Sequence, residues 1–101
     1  MPKCKITVLK VTFQADIAQA YSQAWLGPCP VLTEGQEFML DDPWQMPAGF
    51  CSTAWGDIFK NVQTICLGGD FPSSRRPGMN IACCVDGVRP VIFKIERLEE
   101  Q

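Results

Sequence analysis

The dipeptide Asp86-Gly87 stands between two apolar runs, Met79 to Val85 and Val88 to Leu98, and no other feature restricts the fold as much. Asp-Gly readily adopts the left-handed backbone that a two-residue turn requires, so the segment predicts an antiparallel β-hairpin. The register follows by counting outward from the turn. Val85 faces Val88, Cys84 faces Arg89, Cys83 faces Pro90 and Ala82 faces Val91. Side chains alternate between the two faces of a strand. Asn80, Ala82, Cys84, Arg89, Val91 and Phe93 therefore share one face, and Ile81, Cys83, Val85 and Ile92 the other, with Cys83 expected to point into the core.

Upstream, Cys4, Ile6 and Val8 alternate with Lys3, Lys5 and Thr7, which predicts a strand over 3–13. The alternation changes phase at Val11 and Phe13, and a bulge near Leu9 accounts for it. A short helix follows, with Asp16 placed to cap it, Ile17, Ala20, Tyr21 and Ala24 on one face, and Gly27-Pro28 as its stop. Glu37 to Leu40 reads as a short strand, and 41–49 as a loop rich in turn residues. The longest helix falls at 52–67, where Trp55, Ile58, Phe59, Val62, Ile65 and Cys66 repeat at helical spacing and Gly68-Gly69 end the pattern. Ser52 or Thr53 is its expected N-cap. The expected fold class is α+β, a single domain over 1–101. A small antiparallel sheet, with elements in β-α-β-α-β-β order, carries the one main helix packed on a face.

Several classes of chemistry are excluded by what the chain lacks. It has no histidine, which removes Ser-His and Cys-His nucleophile pairs and every His-containing metal site. The 9 basic residues are scattered along a chain of net charge −2, without the stripe that nucleic-acid binding needs. Nucleic acid is therefore not an expected partner. No segment approaches the ~18 apolar residues of a membrane span. Lys10 interrupts the first apolar stretch, unlike a signal peptide, so a cytoplasmic location is expected. Phosphate-binding glycine loops and nucleophile elbows are likewise missing.

The 6 cysteines then carry most of the remaining chemistry. In a reducing compartment they read as core hydrophobes, metal ligands or reactive thiols. Cys4 and Cys66 continue apolar faces and read as small buried hydrophobes. Cys51 lies just before a helix, where unpaired N–H groups and the positive end of the dipole favour a thiolate. Packing beneath the loop is the alternative. Cys84, opposite Arg89 in the expected register, has a fixed positive charge for a neighbour. There the alternative is an arginine that simply extends to water. Cys29 is held rigid between Pro28 and Pro30, either as a functional loop residue or as a plug in an apolar gap.

Candidate catalytic groups are thus Cys51, Cys84 and Arg89. A metal site would have to use thiolates, with zinc or iron held by Cys29, Cys51, Cys83 and Cys84, although their spacing matches no zinc or iron–sulfur signature. Two other readings stand beside a thiol-dependent site. One is a binding or homo-oligomerisation module using Trp44, Met46 and Phe50. The other is a small-molecule enzyme with Asp or Glu acid–base groups, although the carboxylates are dispersed. Against that reading, Asp57, in the first turn or so of its helix, is expected to serve the helix dipole and Asp86 the turn.

Gly35-Gln36-Glu37-Phe38, Gly49-Phe50-Cys51, Gly68-Gly69 and Cys83-Cys84-Val85-Asp86-Gly87-Val88-Arg89-Pro90-Val91 resemble the motifs of a family of small bacterial and archaeal proteins. The likeness runs along nearly the whole chain. It implies that Cys29, Cys51, Cys83, Cys84, Asp86 and Arg89 belong to the family's motifs, and it implies no activity. The chain departs from the family pattern at Ser52 and Thr53, where Pro and Trp are expected, and in the loop at 73–76, which lacks an expected aromatic residue.

Overall fold

The computed structural model describes residues 3–98, so the single-domain reading of 1–101 extends at both ends beyond the described residues. The elements are β1 (Cys4–Val11), α1 (Ala15–Tyr21), β2 (Glu37–Leu40), α2 (Ser52–Cys66), β3 (Met79–Cys83) and β4 (Val91–Arg97). The strands form one antiparallel sheet in the order β2-β1-β4-β3, and α2 packs across it. This is the α+β architecture expected from the order of elements.

One face of the sheet is apolar because the inward positions of the central strands are. Cys4, Ile6, Val8, Val91, Phe93 and Ile95 are buried, and Ile58, Val62 and Ile65 of α2 close over them. Each fully buried aliphatic side chain contributes roughly 1.5–3 kcal/mol by leaving water. Asn80 is the one polar side chain buried in this layer among the described residues, and Asn61 of α2 donates to its Oδ1 at 2.8 Å. That bond joins the helix to the sheet and offsets the cost of burying the Asn80 carbonyl oxygen. The opposite face carries ion pairs of Lys5, Lys94 and Arg76 around Glu96.

The expected bulge is present, since pairing of β1 with β4 shifts register between Val8 and Lys10. Four expectations need correction. First, the 79–98 hairpin does not turn in two residues. Ala82 pairs with Phe93 and Cys83 with Ile92, and the Cys84 N–H donates to the Val91 carbonyl at 3.2 Å. Residues 85–90 form the connection, and Val91, not Arg89, stands opposite Cys84. The reason lies at Asp86, whose Oδ1 accepts the N–H groups of Val88 and Arg89, each at 3.1 Å. Asp86 thereby begins a wider side-chain-stabilised loop instead of sitting inside a tight turn.

Second, the shift is by two residues, so the grouping of side chains by face survives, but the assignment of the core does not. The Asn80–Ala82–Cys84 face meets α2, whereas Ile81, Cys83 and Val85 are exposed. Cys83 is therefore outside the core.

Third, Cys4 and Cys66 are not separate thiols. They form a disulfide with a Cα–Cα separation of 5.8 Å, joining β1 to the last residue of α2. The apolar phase of strand and helix points both at the same interface, which is why each reads alone as a core residue.

Fourth, α1 is capped at Gln14 without a side-chain bond, not at Asp16, and it ends at Tyr21, well before Gly27-Pro28. It buries only Ala18, and Ile17 and Tyr21 are exposed. Among the described residues α1 packs against no other strand or helix, and Ile17 and Tyr21 of its expected apolar face lie in solvent. The main helix likewise has Cys51, not Ser52 or Thr53, as its N-cap. No helix among the described residues is long and apolar enough to cross a membrane.

Candidate functional site

Three segments distant in sequence meet at one end of the sheet: the loop at 29–32, the start of α2, and the 84–91 connection. Between them lies a cavity of about 380 Å³, mostly apolar, lined by Cys29, Cys51 and Cys84 together with Asp57, Asp86 and Arg89. Its apolar walls come from Leu32, Ala54, Val85 and Val91.

Each thiol arrives by a local mechanism. Cys51 follows Gly49, whose φ of 81° is a left-handed conformation readily open to glycine, and Phe50, which is buried against Phe38 and Phe93. The anchored Phe50 ring leaves the next residue at the mouth of α2, where Cys51 is the N-cap and makes no side-chain capping bond. Cys84 extends the inward face of β3 by one step, and its Sγ accepts the Val91 N–H at 3.3 Å. Cys29 is half-buried beside Leu32, which is packed into the core.

The carboxylates hold the walls. Asp57 lies one turn beyond Thr53, and its Oδ2 accepts the Val85 N–H at 2.9 Å. That bond ties α2 to the 84–91 connection, in place of the dipole role expected for Asp57. Asp86 accepts two backbone N–H groups at Oδ1 and the Arg89 Nε at Oδ2, 3.0 Å away. Burial pushes the Asp86 carboxyl up, but the N–H groups of Arg89 and Val88 and the Arg89 guanidinium outweigh it and hold the carboxyl below its ordinary range. Both acids take part in shaping the cavity, Asp86 through both carboxylate oxygens and Asp57 through Oδ2.

Of the sequence candidates, Cys29, Cys51, Cys84 and Arg89 come together, and Cys83 does not, since it is exposed on the opposite face of the sheet. The four-thiol set proposed for zinc or iron is thereby divided. Among the described residues, no three or more Cys, Asp or Glu side chains are grouped so as to hold a metal ion. The Trp44 loop also differs from its expected form. Trp44 is exposed and leans on Phe59, with ring centroids 6.0 Å apart, whereas Phe50 belongs to the core.

Sequence reasoning missed Asp57 and Leu32 as parts of this wall. Asp57 was within reach: Thr53 and Asp57 are four residues apart on a helix that begins at a candidate thiol, so they share its end and face. Nothing local in the sequence points to Leu32. Comparison of the chain with family models, with curated proteins and with solved structures returns no match.

Proposed function

We propose that the cavity is a thiol-dependent small-molecule site, in which Cys51 and Cys84 are the working sulfurs and Arg89 a binding group. The observation that carries this reading is the convergence of three thiols, from three separated segments, on one cavity. Packing alone would not require sulfur at all three positions, since Ala or Val fills such gaps. A cavity of about 380 Å³ also falls at the small end of ligand sites, which suits a metabolite better than a polymer.

Free-thiol chemistry is favoured over metal ligation by the divided cysteine set. The setting that fits is the cytoplasm, where exposed and half-exposed thiols stay reduced. The Cys4–Cys66 bridge has one sulfur, that of Cys4, fully buried in the core, which shields that side of it from attacking thiolates.

The test uses Cys83 as an internal reference, because it is the most exposed of the four free thiols. Folded protein is labelled with iodoacetamide at limiting times, and each cysteine is followed by peptide mass spectrometry. Cys51 or Cys84 should alkylate several-fold faster than Cys83, although each is less accessible. Slower labelling at both, in the order of their exposure, would overturn the reading.

A further inference from the structure

The charged groups of the cavity are not equally occupied. Asp86 is fully engaged, accepting two backbone N–H groups and the Arg89 Nε. Arg89 uses only that Nε, and among the described residues its two Nη groups have no hydrogen-bond partner. Asp57 uses only Oδ2, and among the described residues its Oδ1 has none either. The cavity therefore presents a guanidinium fork suited to a carboxylate, a carboxylate oxygen suited to an ammonium, and sulfur.

We propose that this cavity takes a small zwitterionic disulfide of the amino-acid type. Arg89 binds its carboxylate, Asp57 binds its ammonium group, and Cys51 or Cys84 exchanges with its sulfur. The inference rests on the thiol reading above and adds the class of ligand. A purely anionic ligand would leave Asp57 facing a like charge, and a purely cationic one would leave the Arg89 fork unused.

The step is thiol–disulfide exchange. The protein thiol gives its proton to solvent, and its sulfur forms a new bond to one sulfur of the ligand. The ligand's own S–S bond breaks, and the departing half leaves with the electron pair as a thiolate, which takes a proton from water. The protein sulfur is oxidised as the departing sulfur is reduced, so no further oxidant is required. The protein is left carrying half of the ligand as a mixed disulfide.

Three disulfides with the same two-carbon spacing from sulfur to the charged end separate the contributions: cystine has both charges, 3,3′-dithiodipropionate only the carboxylates and cystamine only the ammonium groups. Mixed-disulfide formation at Cys51 and Cys84 is measured by mass spectrometry, and each rate is divided by that at Cys83 in the same protein. This ratio cancels the intrinsic reactivity of each reagent. Cystine should exceed both partial analogues by about tenfold, the value of one well-formed charged hydrogen bond. Arg89→Gln should lower cystine to the level of cystamine. Asp57→Asn, which retains an acceptor for the Val85 N–H, should lower it to the level of dithiodipropionate. Equal normalised rates for all three reagents, or a cystine preference unchanged in both variants, would overturn the ligand assignment. If iodoacetamide still labels Cys51 or Cys84 faster than Cys83, only the ligand class falls. If it does not, the thiol reading falls first.

Discussion

Arg89 donates its Nε to Oδ2 of Asp86 at 3.0 Å, three residues back along the same connection, while Oδ1 of that carboxylate holds two backbone N–H groups. One carboxylate thus shapes the loop and orients the guanidinium that faces the cavity.

The Asp86 carboxyl has a lowered pKa in the folded chain, so its charge contributes stability above the ordinary carboxylate range and loses it as pH falls through the lowered value. Asp86→Asn keeps an acceptor for the backbone but removes that charge. The gap in unfolding free energy between wild type and Asp86→Asn should therefore be present at neutral pH and close under strongly acidic conditions. Asp86 is partly exposed, which keeps the gap small. Urea titrations across this range check it, and a gap that widens on acidification would contradict the assignment.

Cys4 and Cys66 close a loop across 62 positions of sequence. Cross-links of that span stabilise by about 4 kcal/mol through restriction of the unfolded chain. Denatured, unreduced protein should expose 4 alkylatable thiols, against 6 after reduction. Cys66→Ala should lower the denaturation midpoint accordingly. Six thiols without reductant would show the bridge to be absent.

Arg97 closes the other end of α2. Its Nη1 donates to the carbonyls of Ile65 and Gly69 at 2.8 and 3.0 Å, and its Nη2 to Asp70 Oδ1 at 3.2 Å. Arg97 thus ties the last turn of α2, through the Ile65 carbonyl, to the Gly69–Asp70 segment that follows it. Arg97→Ala should destabilise by about 2 kcal/mol in chemical unfolding, and Arg97→Lys should recover only part, because an ammonium cannot reproduce the planar fork. Full recovery by lysine would mean that charge alone suffices.

The sequence by itself determined the elements. Alternation marked β1 and its bulge at Leu9, helical spacing of Ile58, Val62 and Ile65 marked α2, and the paired apolar runs marked β3 and β4. These signals are local, because strand and helix periodicities follow from backbone geometry within a few residues. Cys51 was also legible as a helix-start residue, since the onset of the pattern locates it. Tertiary structure decided what local patterns cannot carry. A face of β3 becomes core only when α2 lies on it, so the exposure of Cys83 followed from packing. The register past Asp86 depended on a carboxylate bonding two later N–H groups. The meeting of Cys29, Cys51 and Cys84, like the bridge from Cys4 to Cys66, required chain closure over long separations, and spacing along one sequence says nothing about which distant side chains will share a cavity.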